Sequence, residues 1–191
     1  MYYIQIMIEK YALLKVMKEV LVNADKRYSV NETAKKSGVS VFAAKHMLDY
    51  LFKKEMLTLE KIGRTYQYKA NLDNCLTRQW KITLSLEEID DAGIVRNILK
   101  QSASIFNIVL YGSVGQGRDD GLSDIDIIVI ADVDKEKKNR IMQQAKGTKR
   151  EVNISVYTPM EWRKKARVEK AFYDTVVIDS ISLYGGRPVV L

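Results

Sequence analysis

The chain of 191 residues is poor in the residue types that staple or ligate. Its single cysteine, Cys75, excludes an internal disulfide and argues against a zinc site. A lone histidine, His46, excludes mechanisms that need two histidines, and with them most zinc-hydrolase motifs. There are only two prolines, Pro159 and Pro188, and no Pro/Gly/Ser-rich linker, so a domain boundary has to be read from a change of pattern. No uncharged apolar run approaches the roughly 18 residues of a membrane span, and no membrane partner is expected. The start, Met1 to Glu9, has neither a basic leader nor a small-residue cleavage site, so no secretory signal is expected and the cytoplasm is the expected location. What remains is an ordinary globular balance, 47% hydrophobic and 29% charged, at a length that suits one domain or two small ones.

Charge is unevenly spread. The net charge is +7, and the first 82 residues hold 15 basic against 8 acidic side chains, while the remainder balances at 16 of each. A basic first part facing a polyanion and a neutral second part with another task would give this asymmetry. A generic basic surface would give it too.

Residues 9–22 have helical periodicity, with Leu13, Leu14, Met17, Val20 and Leu21 on one face. Ser29 and Glu32 have capping-box spacing and open a short helix that stops at Gly38. A third helix follows Ser40, with Val41, Ala44, Leu48 and Leu51 on its apolar face. Met56-Leu-Thr-Leu-Glu60 and Thr65-Tyr-Gln-Tyr-Lys69 alternate around a turn at Lys61-Ile-Gly-Arg64, which predicts a β-hairpin with a basic tip. This order resembles a winged helix-turn-helix domain, with Ala34-Lys-Lys-Ser-Gly38-Val39-Ser40 at the junction of the helix pair. The resemblance implies that the second helix of the pair enters a DNA groove and that the hairpin follows the backbone. Ser40, Phe42, Ala43, Lys45, His46 and Tyr50 are then the DNA-facing candidates, with Arg64 on the hairpin. The same architecture also serves protein interaction or dimerisation. Cys75, between Leu72 and Leu76, reads as a small buried hydrophobe. Trp80 is expected to pack a linking helix over 72–82.

Ser85 and Glu88 repeat the capping-box spacing and predict a helix to about Lys100. The apolar run Ile105 to Tyr111 reads as a buried strand ending in Gly112-Ser113-Val-Gly115-Gln-Gly117-Arg118. Ser123-Asp124-Ile-Asp126 then opens a second strand. Alternation along that strand puts Asp124 and Asp126 on one face, about 6–7 Å apart at the backbone. Two carboxylates so close repel unless a cation lies between them, and hard oxygen donors suit Mg²⁺. Glycine lets backbone N–H groups approach a phosphate, and serine adds a hydroxyl. A phosphate-cradling loop beside a metal-holding strand is the apparatus of phosphoryl or nucleotidyl transfer. It is not a Walker A loop, because Gly-Lys-Ser/Thr is absent.

Leu110-Tyr-Gly112-Ser113, ten residues, then Asp124-Ile-Asp126-Ile resembles the signature of the DNA polymerase β-like nucleotidyltransferases, most closely the minimal nucleotidyltransferases of bacteria and archaea. The resemblance implies that Gly112 and Ser113 hold a nucleoside triphosphate, that Asp124 and Asp126 bind as many as two Mg²⁺ ions, and that a third carboxylate on a later strand completes the site. Here the matching position is Asn153, in Arg150-Glu-Val-Asn-Ile-Ser-Val-Tyr157. Asparagine offers a carbonyl oxygen but no base. Glu151, two residues earlier on the same face, either substitutes or is a solvated strand-end charge. Arg118 and Ser123 are further triphosphate candidates. Asp119 and Asp120 read as loop carboxylates rather than ligands. Lys149 and Arg150 read equally as phosphate partners or as a basic strand edge.

Thr158, Pro159 and Glu161 give an N-cap, a first-turn proline and a capping-box glutamate, followed by the basic run Arg163-Lys-Lys165, Arg167 and Lys170. A helix over 170–178 and a strand Ile181 to Tyr184 are expected after it. The fold class expected is α+β: a winged helix-turn-helix domain over 1–82 and a small α/β nucleotidyltransferase-fold domain with a mixed sheet over 83–191. The function expected is a DNA-binding protein carrying a Mg²⁺-dependent nucleotidyltransferase that moves NMP from an NTP, with ATP the expected nucleotide, to an acceptor hydroxyl that the sequence does not identify, protein and RNA being the candidates. The alternative is a transcription regulator whose impaired transferase domain senses nucleotide or metal. A toxin–antitoxin-type component is a third possibility, and a homodimer is the expected assembly.

Overall fold

A computed structural model describes residues 11–190, in two compact units. The first runs to Glu87 and includes the loop Gly117–Leu122; the second comprises Glu88–Gln116 and the residues from Ser123 onward. The architecture is mixed α+β. The readings made on Met1 to Lys10 lie outside the described residues.

The first unit holds α1 (Ala12–Val22), α2 (Val30–Ser37), α3 (Val41–Lys53) and an antiparallel hairpin of β1 (Leu57–Ile62) and β2 (Thr65–Ala70). Ser29 caps α2 by accepting from the Glu32 N–H, and Ser40 caps α3 by accepting from the Ala43 N–H. Between them the chain reverses through Gly38, whose left-handed φ of 62° is cheap only for glycine. Tyr28 adds an isolated bridge to the hairpin, exchanging backbone hydrogen bonds of 2.8 and 2.9 Å with Tyr68. Val16, Val20, Leu21, Tyr28, Leu48, Leu51, Leu57 and Tyr68 form one buried core. Val41, expected on the apolar face of α3, is the first residue of that helix and is 53% exposed.

α4 spans Cys75–Asp91 without a break, so the expected ending near residue 82 and restart at Ser85 do not occur. Ser85 lies inside α4 and is buried, and the chain turns instead at Gly93, with φ of 67°. Ser–x–x–Glu spacing caps a helix only where the serine's own backbone is extended, and here Ser85 is helical. Cys75 starts α4 and is exposed, not buried as expected, since the buried stripe of α4 begins two residues later at Thr77. Trp80 is 37% exposed.

The second unit is built on a four-stranded sheet in the order β5-β4-β3-β6: β3 (Ile105–Tyr111), β4 (Ile125–Ala131), β5 (Val152–Tyr157) and β6 (Ile181–Tyr184). The β3/β4 and β3/β6 pairs are antiparallel and β4/β5 is parallel, which makes the sheet mixed. From Ile127 to Ala131 every residue of β4 is buried, as suits a strand covered on both faces. On one face α8 (Pro159–Val168) and α9 (Lys170–Asp179) bring Trp162 and Val176 onto Val109, Ile128 and Ile130. Thr158 and Glu161 complete a capping box at the start of α8, as their spacing predicts. The remaining helices are α5 (Ile94–Leu99), the single turn α6 (Gly112–Gly115) and α7 (Lys135–Met142), and α7 packs along β5.

Candidate nucleotide site

Strand register assembles the site. Tyr111, the last residue of β3, pairs with Asp126 on β4, and Asp126 pairs with Asn153 on β5. The chain leaves β3 directly into Gly112 and Ser113, so the Gly-Ser turn and the carboxylates come from adjoining strand ends. Gly112 has φ of 74°, and a Cβ there would lie 2.9 Å from Asp126 Oδ2. The left-handed backbone therefore favours glycine beside the second aspartate, and a methyl there would displace the Asp126 carboxylate.

Asn153 joins the two carboxylates. Its Nδ2 donates to Asp124 Oδ2 at 3.2 Å and to Asp126 Oδ1 at 3.3 Å. Of the two residues offered for the third position, Asn153 makes these bonds. Glu151 lies exposed just before β5, its carbonyl accepting the Ile125 N–H at 2.8 Å. Burial raises the Asp126 carboxyl above the ordinary aspartate range, and the Asp124 charge pushes the same way, against the lowering effect of the Asn153 hydrogen bond. Burial also raises the Tyr111 phenol, with the Asp126 charge adding to it.

Asp124 and Asn153 are exposed, while Asp126, Gly112, Ser113 and Ser123 are partly buried. The described residues contain no group of three or more His, Cys, Asp or Glu side chains arranged for a metal. That follows from the asparagine, since the pair here is two carboxylates plus an amide. The donor set of two carboxylates and one amide carbonyl is all hard oxygen and fits Mg²⁺.

Other candidates lie elsewhere. Arg118 is exposed on the Gly117–Leu122 loop, which clusters with the first unit. Arg150 is committed to Glu88, with its Nη2 at 2.8 Å from Oε2 and its side chain 8% exposed. In the first unit Phe42, Lys45, His46 and Tyr50 are exposed on α3, Ala43 is partly buried, and Arg64 is exposed at the hairpin turn. Lys45 is paired with Asp49 and also donates to the Tyr68 hydroxyl at 3.3 Å. Its ammonium is raised by the Asp49 hydrogen bond.

Sequence reasoning missed one internal pair. Asp119 is 2% exposed and lies 3.3 Å from Lys81, whose Nζ also donates to the Leu21 carbonyl at 3.0 Å. A signal was present: Thr77, Lys81 and Leu84 share one helical stripe, and a lysine on a buried stripe needs an acidic partner. Gly117 and Gly121 let the same loop approach closely, since a Cβ at Gly117 would lie 2.4 Å from the Arg78 carbonyl oxygen and one at Gly121 2.7 Å from Asn23 Oδ1.

None of the curated proteins matches the chain. Among solved structures, one described as a toxin–antitoxin with AMP-PNP is 23% identical, covering 50% of this chain and 74% of that one at a TM-score of 0.38. Another, from Sulfolobus solfataricus and named as a nucleotidyltransferase, is 17% identical, covering 60% of this chain and 94% of that one at a TM-score of 0.39. The family model of the nucleotidyltransferase domain matches residues 93–178, a span that includes Gly112, Ser113, Asp124, Asp126 and Asn153. Residues 93–178 therefore carry a nucleotidyltransferase domain.

Proposed function

We propose that the second unit transfers a nucleoside monophosphate from an NTP, ATP foremost, to an acceptor hydroxyl, with Mg²⁺ as its ion. The observation that carries this is the convergence of Asp124, Asp126 and Asn153 beside the Gly112-Ser113 turn. Asp124 and Asp126 would hold the cation. Ser113 and the backbone of the turn would receive the triphosphate. In the transfer, the acceptor oxygen bonds to the α-phosphorus, the bond from that phosphorus to the bridging oxygen breaks, and pyrophosphate leaves. Bound Mg²⁺ supplies charge neutralisation at the phosphates. Asn153 cannot take the acceptor proton, so Glu151 is the nearest carboxylate in sequence for that task. Asn153 must also rotate its amide to turn Oδ1, rather than the donor Nδ2, toward a cation. Two carboxylates balance one divalent ion, and a second ion would rely on the phosphates for its charge.

The first unit, on this proposal, is a winged helix-turn-helix domain that binds DNA through α3 and the hairpin. Three helices followed by a two-stranded hairpin support it, as does the basic excess of the first 82 residues. Phe42 at 84% exposure, His46 and Tyr50 are the exposed α3 side chains that would meet bases, while the Lys45 ammonium is held by Asp49. A homodimer would match a palindromic site.

Asn153 favours a second reading, in which nucleotide is bound and sensed but not turned over. Calorimetric titration of each NTP with and without Mg²⁺ separates the two, using wild type and Asp124→Ala/Asp126→Ala with pyrophosphate assayed in the same samples. Mg²⁺-dependent binding lost in the variant, with pyrophosphate released, is the transferase result. The same binding without pyrophosphate in the presence of candidate acceptors is the sensor result. No binding removes both.

A further inference from the structure

The sheet of the second unit ends on one side in β5, along which α7 packs, and on the other in β6. β6 gives its inner edge to β3, with Ile181 opposite Leu110 and Tyr184 opposite Ile108. Its outer edge has no strand partner among the described residues. The flanking segments turn away from that edge. α9, which leads into β6, lies over a face of the sheet, where Val176 packs with Val109, Ile128 and Ile130. The segment after Tyr184 returns toward β3 and α8: Asn107 Nδ2 donates to the Gly186 carbonyl at 2.8 Å and Trp162 Nε1 to the Pro188 carbonyl at 2.6 Å.

An open edge is a row of backbone N–H and C=O groups without partners, and proteins guard such edges with charge, proline or a covering element. The other strands at an edge are guarded in this way. The hairpin carries Glu60, Lys61 and Lys69, and β5 lies against α7 and is preceded by Lys149 and Arg150. Ile181-Ser-Leu-Tyr184 contains neither charge nor proline. From Thr175 to Gly186 the one charged residue is Asp179, in a chain 29% charged, and its carboxylate accepts from Gln116 Nε2 at 3.1 Å. Ser182 and Tyr184 are exposed, and Ile178, just upstream, is 64% exposed.

The missing charge selects the partner. Where a strand meets its own copy, antiparallel about a two-fold axis, its side chains face those of the same strand. A charged edge then meets its own sign and is repelled, whereas an uncharged edge pairs without that cost. We infer that β6 pairs antiparallel with β6 of a second copy of this chain, so that two four-stranded sheets become one continuous sheet. This goes beyond the homodimer proposed above for a palindromic DNA site, because the contact lies in the second unit and needs neither DNA nor nucleotide.

Sedimentation velocity on the full chain tests it, with wild type, Ser182→Lys, Ser182→Glu and an equimolar mixture of the two variants. Ser182 is exposed, so either substitution puts a charge on the edge without entering the core. Wild type should reach twice the chain mass of 21.9 kDa, with a dissociation constant of about 1–100 µM, as suits a short contact at the lower end of interface sizes. Each variant alone should associate at least about tenfold more weakly, with an unchanged far-UV spectrum, and the mixture should recover the doubled mass because opposite charges now meet. In wild type, amide hydrogen exchange of Ser182 to Tyr184 should slow as concentration rises through the dissociation constant. The inference is overturned if wild type keeps the single-chain mass up to about 1 mM, which leaves the edge to a strand of another protein. It is also overturned if both variants associate as tightly as wild type, if the mixture stays at the single-chain mass, or if the doubled mass forms without slower exchange in β6. Should a variant fail to fold, the exchange measurement on wild type decides alone.

Discussion

Asn153→Asp places a third carboxylate where the amide now donates to two. The wild-type contacts are 3.2 and 3.3 Å, so the substitution converts two attractive hydrogen bonds into two repulsions at nearly the same distance. At 3.3 Å each repulsion costs about 1.3 kcal/mol with the dielectric of water, and more where the site is shielded. Loss of two hydrogen bonds adds about 1 kcal/mol each. Rotation of the new side chain relieves part of this, leaving a net cost of about 2–4 kcal/mol in the absence of divalent cations. For a chain of this size that is a fall in melting temperature on the order of 4–16 °C. Mg²⁺ should reverse the sign, because a third carboxylate that repels its neighbours is also a third anionic ligand. The melting temperature of Asn153→Asp should rise steeply with Mg²⁺ while wild type responds weakly, following the linkage between binding and stability. The assay is thermal unfolding of both proteins over a Mg²⁺ titration, with Ca²⁺ as a size control. Equal melting temperatures without cation, or equal Mg²⁺ responses, would show that position 153 does not face the aspartate pair.

Arg64→Ala should weaken DNA binding equally on all sequences, and wild-type affinity should fall steeply with salt; an affinity flat between low and moderate salt in a filter or anisotropy titration rules out the polyanion role. Lys81→Met should cost about 3–5 kcal/mol in denaturant unfolding, because it removes the ion pair of a buried Asp119. Adding Asp119→Asn should recover a large part of that cost, and a single-variant cost below about 1 kcal/mol would remove the pair's structural role. Asp49 is held below the ordinary aspartate range, with the Lys45 and Tyr68 hydrogen bonds outweighing its burial. Its contribution is therefore present above the unfolded aspartate pKa and lost as pH falls through the lowered folded value, so Asp49→Asn should flatten the acid limb of a stability-against-pH curve. Gly112→Ala should abolish Mg²⁺-nucleotide binding in calorimetry, since the new methyl would press on Asp126 Oδ2; undiminished affinity would show that the turn does not set the site.

Where side-chain chemistry acts locally, the sequence was legible. Ser29, Ser40 and Thr158 cap the helices they were expected to open, because each is itself extended at the backbone and its side-chain oxygen finds the expected N–H. Gly38 turns where the helix pair demands it. The nucleotidyltransferase signature was legible as well, because ten residues between Gly-Ser and Asp-x-Asp is a pattern of spacing rather than of packing. What was not legible depends on long-range neighbours. Ser85 has the same spacing as Ser29 but lies inside a continuous helix, which only the burial of the α4 stripe decides. Cys75 looked apolar by its sequence neighbours and is exposed by its place on the helix. Asp119 looked like a solvated loop residue, and its partner Lys81 is 38 residues away in sequence.

The Gly117–Leu122 loop has a consequence for how this chain can be divided. Counted along the sequence, it falls inside the nucleotidyltransferase domain, between the Gly-Ser turn and the Asp-x-Asp strand. Counted by its neighbours, it belongs to the first unit. A cut between Glu87 and Glu88 therefore does not yield two autonomous pieces. The N-terminal fragment would keep Lys81 in an apolar setting without Asp119, and the C-terminal fragment would carry Gly117 and Gly121, shaped for a surface it no longer has. The two halves are separable as patterns but not as polypeptides. A transplant of the first unit onto another protein would have to carry this six-residue loop with it, or replace Lys81 by an apolar residue.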